Sequence, residues 1–97
     1  MKKEMISNMQ ITLPEGECRL EYYLCERPES YGVEIVKKKC DTGEVVESEG
    51  YSDVCCSRNR TQYMLRQMAK NTVTPISLSE VMEALMMDAE EAWKDAI

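Results

Sequence analysis

Apolar residues recur at every second position through the first half of the chain and at every third or fourth position through the second. Met5, Met9, Ile11 and Leu13 share one face of a first strand, with the repeat broken at Ser7. Leu13-Pro14-Glu15-Gly16-Glu17 predicts a turn, because Pro presets φ and Gly supplies the left-handed residue that closes a bulged hairpin. The next run alternates cleanly, with Cys18, Leu20, Tyr22 and Leu24 on one face and Arg19, Glu21, Tyr23, Cys25 and Arg27 on the other. Pro28-Glu29-Ser30 interrupts it. Tyr31, Val33 and Ile35 then form the inward face of a third strand, with Glu34, Val36 and Lys38 outward. Asp41-Thr42-Gly43 is a hairpin signal. Setting Cys40 opposite Glu44 places Val33 opposite Tyr51 and Ile35 opposite Glu49. That register turns Val45 and Tyr51 inward and Val46 and Ser48 outward. Glu47 and Glu49 then share the inner face, which suits an edge strand that uses inward charge to block unwanted pairing.

The period changes after Ser57, which caps a helix of about residues 58–70 with Thr61, Met64, Leu65, Met68 and Thr72 on its apolar stripe and Asn71 at its exit. Thr72-Val73-Thr74-Pro75-Ile76 reads as an extended connector, since Pro keeps the residue before it out of the helical region. Ser77-Leu78-Ser79-Glu80 reads as a capping box for a second helix of about residues 78–95, with Leu78, Val81, Met82, Leu85, Ala89, Ala92, Trp93 and Ala96 on one stripe. Strands at about residues 3–54 followed by two helices predict a single α+β domain over residues 1–97: an antiparallel four-stranded meander with both helices on one face.

Composition narrows the function. A net charge of −6 disfavours nucleic acid and anionic membrane as partners. No apolar run is long enough to cross a bilayer, and the start Met1-Lys2-Lys3-Glu4 lacks the apolar stretch of a signal peptide. Five cysteines, an odd number without a secretory context, predict reduced thiols and a cytoplasmic protein. The chain has no His, so the commonest general base is missing, and no Gly-rich loop precedes a helix to cradle phosphate. A non-enzymatic protein without cofactor is the expectation.

Three segments, Leu20-Glu21-Tyr22-Tyr23-Leu24, Tyr31-Gly32-Val33-Glu34-Ile35-Val36-Lys37 and Asn71-Thr72-Val73-Thr74-Pro75-Ile76-Ser77-Leu78, carry a likeness that runs through nearly the whole chain. In them the chain resembles DUF6514, a family of small bacterial proteins of unknown function. The resemblance implies the domain and assigns no activity, substrate, cofactor or site residue.

Two constellations remain. The first helix carries Arg58, Arg60, Arg66 and Lys70, and Asn59, Tyr63, Arg66 and Lys70 fall on the stripe opposite its core face. An exposed Tyr flanked by Arg is a contact anchor for a protein partner, although a merely solvated face has the same pattern. Cys55 and Cys56 precede this helix, where a redox or metal-responsive role is the alternative function. Zinc would need about four ligands in paired spacings, which the cysteines lack; Cys18 and Cys25 lie on opposite sheet faces, leaving only Cys40, Cys55 and Cys56 to cluster. Finally, the apolar stripe of the second helix outruns the sheet, so Ala89, Ala92 and Trp93 predict a homodimer through the C-terminal helix.

Overall fold

The four alternating runs become four strands in the computed structural model, which describes residues 2–84. β1 (Lys2–Leu13), β2 (Gly16–Glu26), β3 (Tyr31–Lys39) and β4 (Val45–Cys55) form one antiparallel sheet in the order β1-β2-β3-β4. The chain continues into α1 (Arg58–Lys70), a short 3-10 turn (Pro75–Ser77) and a second helix, α2, described over residues 78–84. Both helices lie on one face of the sheet. Leu20, Tyr22, Leu24, Val33 and Ile35 from the strands meet Met64, Leu65, Met68 and Ala69 of α1 and Leu78 and Met82 of α2 in one buried cluster. Burying each large side chain of this set stabilises the fold by about 1.5–3 kcal/mol. Tyr22 is fully buried, and its hydroxyl donates to the Val73 carbonyl at 2.8 Å, tying the link between the helices to the middle of the sheet.

The centre of β3–β4 has the register expected from the Asp41-Thr42-Gly43 turn, with Val33 opposite Tyr51 and Ile35 opposite Glu49. Both ends depart from it. A shift between Lys37 and Lys38 pairs Lys38 with Val45, which moves Val45 to the outer face. Val46 instead borders the inner side near Cys18 and Lys37. Tyr51 faces inward as expected but remains 37% exposed, because β4 is the edge strand. At the far end, a second shift accompanies Asp53, whose φ of 55° places it in the left-handed region.

β1 holds a third irregularity. Met5 pairs with Tyr23 and Ser7 with Tyr22, so Ile6 is an extra residue. The bulge turns Met5 to the outer face and lets Ile6 pack against the core. The repeat that breaks at Ser7 thus places Met9, Ile11 and Leu13 on the inner face, while the extra residue at Ile6 inverts Met5.

α1 has the expected bounds. Ser57 Oγ accepts from the Arg60 amide at 3.3 Å, and the Asn71 amide donates to the Gln67 carbonyl at 3.1 Å. Thr72 does not extend the apolar stripe. It is exposed with φ 52°, while the Thr72 and Val73 amides donate to the carbonyls of Ala69 and Met68, and Val73 is buried in its place. Nor does Ser77 cap α2. Pro75 already opens a 3-10 turn after the extended Thr74, so the helical path begins before the Ser-x-x-Glu sequence. Pro suits that first position because it needs no amide donor there.

Candidate functional site

α1 positions the most exposed aromatic side chain of its face. Thr61, Met64, Leu65, Met68 and Ala69 turn into the core. The helical period of 3.6 residues therefore puts Asn59, Tyr63, Arg66 and Lys70 in a row on the opposite side, all exposed. The row spans about 16 Å at the standard rise per residue. Tyr63 is 63% exposed, so most of its ring is open to a partner. Arg66 lies one turn further along, and Lys70 closes the last turn, where its charge complements the helix dipole. Arg58 stands apart. Its guanidinium pairs with the Glu4 carboxylate on β1 and braces the start of the helix against the sheet.

The fold does not gather the cysteines. Cys55 is buried at the end of β4, and its Sγ accepts from the Ser57 amide at 3.3 Å. Its neighbour Cys56 is exposed. Cys40 lies beyond the other end of β3, since Tyr31, the first residue of that strand, is the one paired with Cys55. A meeting of Cys40 with Cys55 and Cys56, the one grouping the sequence leaves open, is thus ruled out by the length of the strand. Cys18 faces the helices and Cys25 the outer side, and all five thiols are free. Among the described residues, no three Cys, Asp or Glu side chains come together as a metal could require.

The sheet face opposite α1 carries a charged ladder that single-strand periodicity does not reveal. Register sets Tyr23 between Met5 and Glu34, and Glu21 between Asn8 and Val36. Lys3 Nζ lies 2.7 Å from the Glu34 carboxylate and 5.5 Å from the Tyr23 ring centre. Lys38 Nζ lies 2.9 Å from Glu21, and the Tyr23 hydroxyl donates to Glu21 at 2.8 Å. Glu21 is only 4% exposed although no described helix covers this face. Burial pushes its carboxyl up, but hydrogen bonds from Lys38 and Tyr23, with the charges of Lys38 and Arg19, outweigh that and leave it below the ordinary value. Burial and the bond to Glu21 push the Tyr23 hydroxyl up to about 12. Lys3 is raised by its bond to Glu34, against the opposing effect of burial. Every charge of the ladder has an opposite neighbour, so it reads as a device that holds β1, β2 and β3 in register. Finding it from sequence needs the alignment of three strands at once.

Trp93, together with Ala89 and Ala92 of the expected helix dimer, lies outside the described residues. Among the described residues, no helix is long and apolar enough to cross a membrane.

The model of DUF6514, a family of unknown function, matches residues 1–88, and the chain belongs to that family. No curated protein matches the chain, and no solved structure does.

Proposed function

For this member of a family of unknown function, we propose a non-enzymatic, cytoplasmic interaction domain that contacts a protein partner through the outer face of α1. The observation that carries the reading is the 63% exposure of Tyr63 between Asn59 and Arg66 on a helix whose other face is fixed in the core. A Tyr ring offers a large apolar contact at low entropic cost, and Arg and Lys beside it favour an acidic or carbonyl-rich counterpart. The thiol-based alternative has less in its favour. Cys55 is buried with its sulfur engaged by the Ser57 amide, whereas Cys56 faces solvent, so the two thiols occupy different surroundings.

The test is photo-crosslinking in the cell that makes the protein. A benzophenone amino acid replaces Tyr63 in one variant and Ser48, exposed on the other face of the sheet, in a second. A discrete adduct is expected from position 63, absent from position 48, and lost when Arg66 and Lys70 are changed to Ala. Identical patterns at both positions, or an adduct that survives those changes, would show that the α1 face is solvent-facing surface only.

A further inference from the structure

Among the described residues the sheet has two open edges, β1 and β4, and they are built differently. β4 carries Glu47, Glu49 and Asp53, is irregular near both ends, and includes the left-handed Asp53. These are features that keep an edge from recruiting another strand. β1 is charged only at its start, Lys2 to Glu4, and past that has none of them except the bulge at Ile6. From Met5 to Leu13 it holds no Lys, Arg, Asp, Glu, Gly or Pro. From Ser7 to Leu13 it pairs with β2 one residue to one, so its outer edge presents a regular row of amides and carbonyls. Ile6, Met9 and Ile11 pack against the core cluster and remain only partly buried, which leaves apolar surface along that edge.

We propose that β1 pairs antiparallel with β1 of a second copy of this chain, joining two sheets into one of eight strands. The strand is complementary to itself about Gln10. Turned end for end on that residue, Met9 meets Ile11 on the helix side. On the outer side Asn8 meets Thr12 and Gln10 meets its own copy. Ser7 meets Leu13 at each end of the regular segment; between them apolar groups fall against apolar groups and neutral polar groups against neutral polar groups, and no charged residue lies from Met5 to Leu13 to oppose another. Gln10 already donates to Glu17 at 2.7 Å and keeps its amide oxygen for the neighbouring copy. The two-fold axis is perpendicular to the sheet, so the helices of both copies stand on the same side, with the α1 rows left open. This dimer is independent of the C-terminal helix and of the partner contact proposed above.

The experiment is sedimentation velocity on the full chain across a concentration series, with Gln10→Lys, Gln10→Glu, an equal mixture of the two, and Glu49→Lys on the opposite edge. Position 10 is exposed, and circular dichroism melting checks that each variant is folded. The wild type and Glu49→Lys are expected to dimerise alike. Each position-10 variant alone sets like charges face to face and should dimerise at least tenfold more weakly. Mixing them sets Lys against Glu and should restore the dimer. A wild type that stays monomeric throughout, a dimer indifferent to both substitutions at position 10, or a mixture no tighter than its parts would each overturn the proposal.

Discussion

Gly32 is where a single methyl group decides whether β4 can lie against β3. A Cβ built there would stand 2.4 Å from the Tyr51 carbonyl oxygen, and that oxygen is backbone, with no rotamer to swing away. The close approach follows from the extra residues between the Tyr31–Cys55 and Val33–Tyr51 pairs, which press β4 toward the glycine. Gly32→Ala should therefore destabilise the domain by about 1–3 kcal/mol, the range seen when a packed site is overfilled. Urea unfolding followed by circular dichroism checks it; an unchanged midpoint would mean that the strand end can slide at no cost. Sequence alone marks Gly32 only as an interruption of a β-rich run. The reason for it lies on another strand.

Among the elements, α1 was the most legible and β1 the least. Ser57 and Asn71 bound a helix whose 3.6-residue period needs no partner to be read, so its core stripe and its outward row both follow from counting. Changing Tyr63, Arg66 and Lys70 together to Ala should accordingly shift stability by no more than about 0.5 kcal/mol, as substitutions of exposed residues do. A large loss in thermal melting would mean that the row carries packing that its exposure hides. Strand faces are harder, because one extra residue inverts every assignment beyond it. Met5 and Val45 lie on the face opposite to the one a continuous pleat predicts for that reason, with Ile6 and Val46 in their places. The ladder of Lys3, Tyr23, Glu34, Glu21 and Lys38 was legible only in part. Its outward residues on β2 and β3 were evident, but their partners depend on that same inter-strand register. Thr72 leaves the stripe because turn chemistry at a helix exit depends on what the following residue buries, here Val73, and Ser77 is no cap because Pro75 opens a 3-10 turn ahead of it.

At the scale of the whole molecule, the titrating groups with shifted values make the fold sensitive at both ends of the pH range. Glu21 sits below the ordinary carboxylate value, so its contribution is present above that value and is lost as pH falls through the lowered one. Burial pushes Tyr22 up to about 12, Tyr23 reaches about 12 as well, and Lys3 is raised. What the two tyrosines contribute is complete below about 10 and lost as pH rises toward 12, and what Lys3 contributes is lost as pH rises through its raised value. The melting temperature should thus fall on the alkaline side over that interval. Tyr22→Phe should lower stability at neutral pH by about 1–3 kcal/mol, since the buried Val73 carbonyl loses its donor. It should also make the alkaline fall shallower. Melting curves of both proteins at a series of pH values are the measurement, and equal alkaline slopes would remove Tyr22 from the account.

The order of elements along the chain has a consequence for how the protein is made. All four strands precede both helices, so a ribosome finishes the sheet before it supplies the cover. Leu20, Tyr22, Leu24, Val33 and Ile35 wait for Met82, roughly fifty residues after Ile35, which at about 5–20 residues per second is an interval of several seconds. During that interval the nascent chain presents a bare apolar face to its neighbours in the polysome, and the uncharged edge of β1 beside it is already complete. The acidic edge of β4 is the last part of the sheet to emerge, and its charge guards only one side of the unfinished domain.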